Sequence, residues 1–156
     1  MSTDVGAPIG GHVMAVMERI VVGGDHTPSA TAALRWAVGE AAQSGACVRV
    51  VHAFDVEGRA DLAVERDLDR ARRDARYRTQ SWVFEVLGDL NTSVPVIVST
   101  PDGSVEQALV AAARGAQMVV IGQPQDGRHR DLPAALSRTC SCPVMTVAPD
   151  QVAELV

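Results

Sequence analysis

The chain has 156 residues, which is the size of a single domain that can bury a proper core. Apolar residues make up 47% of it and aromatic residues only 3%, so the core must be largely aliphatic, as in a buried parallel sheet covered by helices. The net charge of −5 argues against sequence-independent binding to nucleic acid or to an acidic membrane surface.

Strand patterns alternate with helix patterns along the chain, which predicts successive β-α-β units around a parallel sheet. In chain order we expect strands over residues 19–24, 47–54, 94–100, 118–121 and 144–148, with a helix between each pair. The helix after the second strand is long, from near residue 61 to residue 87. We expect a flexible extension over residues 1–17, one domain over residues 18–149 and a short tail over residues 150–156.

Capping signals mark the starts of three helices. Thr27 or Ser29 is expected to cap the first helix. Ser104 and Gln107 have the three-residue spacing of a capping box, which predicts the start of the third helix. Asp131 is expected to cap the last helix.

The long helix carries a strongly charged face. The pairs Asp69–Arg73 and Asp74–Arg78 are four residues apart with the carboxylate first, which is the orientation that stabilises a helix. We therefore interpret this face as solvated and paired within itself, rather than as a surface for nucleic acid or a partner protein.

The sequence contains no signal for export or for a membrane. No Arg or Lys precedes Arg19 and the first 18 residues lack a long apolar run, so we expect neither a signal peptide nor a membrane helix. The three cysteines, Cys47, Cys140 and Cys142, lack metal-ligand spacing, and their odd number is typical of reduced thiols. We expect a cytoplasmic protein without a membrane partner.

Two strand ends locate the candidate site. The first strand runs up to Asp25, and the fourth strand stops at Gly122. In an open parallel sheet, ligands bind outside the carboxyl ends of the strands, at the point where the strand order reverses. These two ends are therefore where a ligand is expected.

Residue types at this edge exclude several classes of site. The turn over residues 23–28 lacks the G-x-G-x-x-G of dinucleotide-binding folds, and a P-loop needs a Lys that the chain does not contain. No G-x-S-x-G elbow is present, so no Ser-based hydrolase is expected, and we assign no catalytic residue. His26 and His129 lie in loops at the same edge, but two His without a spaced carboxylate predict no metal site.

Five segments of the sequence resemble the universal stress protein family. These segments are residues 20–34, 50–53, 103–106, 116–122 and 142–147. They stand in the order and spacing of that family, and the resemblance extends over about residues 18–149. The resemblance implies a three-layer α/β/α open sandwich of the adenine-nucleotide alpha-hydrolase-like kind, with a five-stranded parallel sheet in the order 3-2-1-4-5.

The same resemblance implies where a nucleotide would lie. Asp25, Ala53, Ile121 and Gly122 match the positions that hold adenosine in nucleotide-binding members. The family binds the phosphates with Gly-x-x-Gly, nine further residues and then Gly-Ser or Gly-Thr. Here Gln125 replaces the second glycine, and no Gly-Ser or Gly-Thr follows in the loop. We therefore expect ATP binding to be weakened or lost, with ATP or AMP held weakly at most.

Two hypotheses for function remain. The first is a small regulatory protein of the stress response that acts as a homodimer through a protein partner or a weakly bound small ligand. The alternative is a protein that binds ATP, AMP or cyclic AMP through a remodelled loop, with Arg128 or Arg130 facing the phosphate. An ATP-hydrolysing enzyme is a third class, and no base, nucleophile or phosphate clamp in the sequence supports it.

The resemblance also implies how a homodimer would form. The fifth strand would lie at the edge of the sheet and pair with its counterpart across a two-fold axis, which would cover an exposed apolar edge. The interface residues expected from this are Pro143, Val144, Met145, Thr146, Val147 and Ala148.

Overall fold

The structure is a computed structural model that describes residues 17–55, 65–88, 93–125, 127 and 129–156, without the side chains of residues 65 and 66. Its elements are β1 (Arg19–Gly23), α1 (Pro28–Ser44), β2 (Cys47–Val51), α2 (Glu65–Leu87), β3 (Val96–Ser99), α3 (Val105–Ala113), β4 (Met118–Gly122), α4 (Leu132–Thr139), β5 (Val144–Val147) and β6 (Ala153–Leu155). The extension expected over residues 1–17 lies outside the described residues except for Met17, as does the expected start of the long helix before residue 65.

The strands form one mixed sheet in the order β3-β2-β1-β4-β5-β6. The first five are parallel, which confirms the predicted three-layer fold, its parallel core and its strand order. The sixth strand was not predicted, because its three residues lie in the segment expected to be a tail. It pairs with β5 in the antiparallel direction, with Met145 opposite Leu155 and Val147 opposite Ala153.

The sixth strand changes the position of the sheet edge. The backbone of β5 is bonded to β4 on one side and to β6 on the other. The expected dimer required β5 to be an open edge, and this premise is wrong because the chain covers that edge itself. The edge on this side of the sheet belongs to β6.

Helices cover both faces of the sheet because the central strands are buried on both sides. Along β1, Ile20 and Val22 face a core formed with α1 and α2, while Val21 faces a second core formed with α3 and α4. The inner face of α1 is rich in Ala, and small side chains let that helix lie close to the sheet. This three-layer arrangement fixes the loops at the carboxyl ends of β1 and β4.

Two of the three predicted caps are formed. Thr27 caps α1, where its Oγ1 accepts from the Ala30 amide at 3.2 Å, and both bonds of the Ser104–Gln107 capping box are present. Asp131 stands at the N-cap position of α4, but its backbone is helical and its side chain makes no capping bond. The prediction of a cap at Asp131 was therefore wrong.

One predicted ion pair on α2 is also replaced by another. The Asp69 carboxylate lies 3.7 Å from Arg72, three residues on, rather than beside Arg73. Arg72 also reaches Asp102, which lies just before α3. Arg72 therefore ties α2 to a neighbouring loop, while Arg73 stays on the exposed side of the helix.

Candidate functional site

A cavity of about 370 Å³ opens at the carboxyl ends of β1 and β4. Its apolar wall comes from the carboxyl ends of β1, β2 and β4 and from the helices on one face of the sheet; these residues are Gly23, Val51, Ala53, Val105, Leu109, Ile121 and Leu132. Its polar rim consists of Asp25, Thr27, Ser29, His52, Gln123, Gln125 and His129. An apolar pocket of this size with a few polar groups is typical of a site for a small organic ligand.

A short chain of hydroxyl groups holds Asp25 at the rim. Thr27 donates from its hydroxyl to Asp25 Oδ1 at 2.7 Å, and the Thr27 amide donates to the same atom at 3.2 Å. The Ser29 hydroxyl lies 3.3 Å from Thr27 Oγ1, and Ser29 is buried at 3% exposure. Both bonds to Asp25 use Oδ1, so Oδ2 stands outside this network. Asp25 thus shapes the turn and also contributes to the cavity.

Gly122 is enclosed by the start of α1. A Cβ at this position would lie 2.5 Å from the Ser29 carbonyl carbon and 2.6 Å from the Ala30 nitrogen. Backbone atoms cannot move aside as a flexible side chain can, so only glycine fits here. Gly122, which the resemblance placed in the nucleotide site, therefore also has a packing reason to be glycine.

His52 links the end of β2 to the end of β1 at the cavity. Its Nδ1 lies 2.7 Å from the Gly24 carbonyl oxygen, and since that oxygen can only accept, Nδ1 carries the proton. Gly24 also has to be glycine, because a Cβ would lie 2.7 Å from Val50 Cγ1. The hydrogen bond fixes the ring of His52, so His52 is a structural residue of the cavity wall.

A second histidine stacks on the first. The centroid of the His26 ring lies 5.1 Å from that of the His52 ring, at an interplanar angle of 18°. It also lies 5.1 Å from the ring centroid of Trp82, which belongs to α2. His26 Nε2 is 3.0 Å from Thr79 Oγ1, which itself donates to the Ala75 carbonyl, so His26 is the donor of this bond. His26 therefore connects the loop after β1 to α2.

The environment of His26 disfavours its charged form. Burial lowers the pKa of His26 below its usual value, and the neighbouring His52 lowers it further. The Asp25 carboxylate acts in the opposite direction, and the Arg78 guanidinium again lowers the pKa. The net direction is downward, so the ring resists protonation near neutral pH.

The loop after β4 closes the cavity on its remaining side. Gln123, Gln125 and His129 line it, while Arg130 and Asp131 are exposed and do not. Gln125 occupies the position at which the family pattern has its second glycine. Arg128, which the alternative hypothesis requires, lies outside the described residues.

The expected site residues fall into two groups. Asp25, Ala53, Ile121 and Gly122 line the same cavity, whereas Arg130 does not. Their roles in binding remain predictions. Sequence reasoning placed His129 at this edge but named neither Ser29 nor Gln123 as a site residue, although the rule of the carboxyl edge could have found Gln123, the first residue after β4.

The two histidines placed in loops at this edge have different surroundings. His129 lines the cavity, whereas His26 stacks on His52. Across the part of the chain that the structure describes, no three His, Cys, Asp or Glu side chains come together as a metal site would require. Within the same residues, none of the helices has the length and apolar character needed to cross a membrane.

Comparison with known proteins places this geometry in a family. The model of the universal stress protein family matches residues 17–148. The universal stress proteins Rv2624c and MT2699 of Mycobacterium tuberculosis are 31% identical over 133 residues, which cover 82% of this chain and 47% of each relative. The chain thus spans about half the length of the curated relatives it matches.

Solved structures agree with the fold. A universal stress protein in complex with cAMP superimposes with a TM-score of 0.61 at 18% identity, over 85% of this chain and 98% of that chain. The universal stress protein from Archaeoglobus fulgidus in complex with dAMP gives a TM-score of 0.58 at 20% identity, over 83% and 96%. With the matches in sequence, these findings lead to one conclusion: the chain belongs to the universal stress protein family.

Proposed function

We propose that this chain is a non-catalytic regulatory protein whose cavity takes the adenosine part of a nucleotide and gains little from the phosphates. The observation that carries the proposal is the cavity of about 370 Å³, apolar in its depth and carrying the Asp25 carboxylate on its rim. Structural neighbours in complex with cAMP and dAMP support an adenine ligand.

Each part of the cavity suits one part of adenosine. The wall near Val51, Leu109 and Ile121 offers apolar contact for a flat base. A carboxylate only accepts hydrogen bonds, so Asp25 Oδ2 suits the hydroxyl groups of a ribose. The amides of Gln123 and Gln125 offer donors and acceptors for the edge of the base.

Weak binding of phosphate follows from the loop after β4. The start of α1 occupies the space beside Gly122. Gln125 carries a side chain where the family pattern has glycine, and the Asp131 carboxylate stands at the N-cap of α4. The Asp131 side chain makes no capping bond, but a carboxylate at a helix N-terminus still repels by its charge an anion that the backbone amides would otherwise attract. We therefore propose that the triphosphate contributes little to affinity.

The arrangement of the same residues favours ligand binding without catalysis. The Thr27 hydroxyl beside Asp25 also caps α1, and the His52 ring is held by the Gly24 carbonyl, so we assign neither Asp25 nor His52 as the base of a free nucleophile. A chain of this kind would act by presenting a different surface when the ligand is bound.

Isothermal titration calorimetry with adenosine, AMP, cyclic AMP and ATP tests this proposal. We expect adenosine and ATP to bind with dissociation constants within about threefold of each other. Asp25→Asn should weaken adenosine binding about tenfold, which corresponds to about 1.4 kcal/mol. Glu85→Gln, near the far end of α2, is the matched control and should change nothing. ATP binding about a hundredfold tighter than adenosine would contradict the proposal, as would no adenosine binding at millimolar concentration.

A second candidate is a binder of monophosphates. His129 lines the cavity and the exposed Arg130 is the next residue, so this candidate has the Arg130 guanidinium reach a phosphate at the rim. AMP or cyclic AMP would then bind at least tenfold tighter than adenosine. Arg130→Gln would remove that difference if this candidate is correct, and would leave it unchanged otherwise.

A further inference from the structure

The backbone of Ala53 faces the cavity with one donor and one acceptor. On one side of it, the His52 amide donates to the Ser99 carbonyl at 3.0 Å. On the other side, the Phe54 amide donates to the Pro101 carbonyl at 2.8 Å, so both neighbours bond towards β3. Successive residues of an extended strand direct their backbone groups to opposite sides, and the N–H and C=O of Ala53 therefore point towards β1. There β1 has already ended and the cavity opens, and within the described residues neither group of Ala53 has a partner.

A fixed donor beside a fixed acceptor can distinguish two purine bases. Adenine presents the acceptor N1 beside the donor of its 6-amino group, whereas hypoxanthine presents the donor N1–H beside the acceptor of its 6-oxo group. The backbone pair of Ala53 can bond to the first edge in full but not to the second. The carboxamides of Gln123 and Gln125 also line the cavity, but each can turn over and satisfy either base. A preference between the two bases therefore depends on where the backbone of Ala53 is held.

Arg72 of α2 holds the segment that contains Ala53. Its guanidinium carbon lies 5.3 Å from the centroid of the Phe54 ring, which is buried at 1% exposure. The same guanidinium donates to Asp102, and Asp102 forms an isolated parallel bridge with Phe54 beyond the ends of β2 and β3. Arg72 thus contacts both residues of this bridge and connects them to α2.

We propose that Arg72 is a positioning residue for base selection: it holds the bridge of Phe54 and Asp102 against α2 and thereby fixes the backbone of Ala53 where it can read adenine. This inference rests on the proposed function, because it requires adenosine in the cavity. Arg72 is not among the residues that line the cavity, so it acts through Phe54 and not on the ligand itself.

The contacts of Arg72 are suited to positioning rather than to holding the whole fold together. The Arg72 side chain is 36% exposed and that of Asp102 is 61% exposed, so water and salt weaken their ion pair. The bridge lies outside the regular strands, where few backbone bonds support it. Loss of Arg72 should therefore loosen this segment while the chain stays folded.

Isothermal titration calorimetry with adenosine and inosine tests base selection. We expect the wild type to bind adenosine at least about tenfold more tightly than inosine, because inosine leaves both groups of Ala53 unpaired. Arg72→Gln should lower this ratio to about threefold or less, since the backbone pair is then no longer fixed. Arg72→Lys keeps a cation over the ring and should give an intermediate ratio. Arg76→Gln is the matched control, because Arg76 is exposed and lies four residues further along α2, and it should leave the ratio unchanged.

Amide hydrogen exchange followed by NMR, without any ligand, tests the positioning by itself. The His52 and Phe54 amides should exchange at least about fivefold faster in Arg72→Gln than in the wild type. The Val50 amide, within β2, should exchange at the same rate in both proteins, which shows that the fold is intact. Arg76→Gln should match the wild type at all three amides.

The results separate this inference from the proposed function. A ratio of adenosine to inosine affinity that Arg72→Gln leaves unchanged would overturn the inference alone, even with faster exchange, because Arg72 would then be only structural. Unchanged exchange of the His52 and Phe54 amides would also overturn it. A wild-type chain that binds no adenosine at millimolar concentration would instead reject the proposed function, and base selection with it.

Discussion

The ring of His26 stacks on the ring of His52, with centroids 5.1 Å apart and planes 18° apart. His26 belongs to the loop after β1 and His52 to the end of β2, and His26 also bonds to Thr79 on α2. The stack of His26 on His52 therefore connects the wall of the cavity to α2. Protonation of His26 should change the stability of this part of the fold.

We predict that His26 makes the protein less stable as the pH falls. Burial and His52 lower the pKa of His26 in the folded state, so below about pH 6.5 the unfolded chain binds a proton that the folded chain does not. Stability is then lost as the pH falls from about 6.5 through the lowered pKa, and this contribution stays constant below it. His26→Asn should reduce the loss between pH 7.5 and pH 5.5.

Urea denaturation at the two pH values measures this effect. Asn is chosen because the backbone of His26 is left-handed, with φ of 65°, and Asn accepts that conformation. His129→Asn is the matched control, since His129 is also left-handed, with φ of 56°, and is exposed. An equal loss of stability in wild type and His26→Asn would exclude the imidazole as the cause.

The sequence predicted the frame of this region but not the stack. Runs of buried aliphatic residues indicated parallel strands. The ends of these strands then predicted that the loops after β1 and β4 would lie together. The contact of His26 with His52 depends on a left-handed residue and on the approach of α2, and neither leaves a local pattern in the sequence. The strand β6 was missed for a related reason, because three residues are too few to show alternation.

Two glycine substitutions should have opposite effects on stability. Gly122→Ala would put a Cβ within 2.6 Å of the backbone of α1, so we expect a loss of about 1–3 kcal/mol or more. Gly39→Ala lies within α1, and its Cβ would meet nothing within 4 Å, so we expect a gain of about 0.5–1 kcal/mol. Urea denaturation of both variants measures the two free energies of unfolding. A neutral Gly122→Ala would show that α1 can move away from β4.

Thr27 should affect both stability and the rim of the cavity. Its hydroxyl caps α1 and also donates to Asp25, so Thr27→Ala removes both bonds. We expect a loss of about 1–2 kcal/mol in the free energy of unfolding, together with weaker adenosine binding. Thr27→Ser keeps the hydroxyl and should retain most of both. Thr27→Ala that loses stability but binds adenosine normally would show that the turn alone positions Asp25.

The two expected caps at Ser104 and Asp131 should now differ in their contribution. Ser104 makes the capping bond to Gln107, so Ser104→Ala should cost about 1 kcal/mol. Asp131 makes no such bond, and only its charge at the helix N-terminus remains. In about 150 mM salt we therefore expect Asp131→Ala to cost about 0.5 kcal/mol or less. Thermal and urea denaturation of both variants measure this difference, and equal losses would mean that Asp131 caps α4 in solution after all.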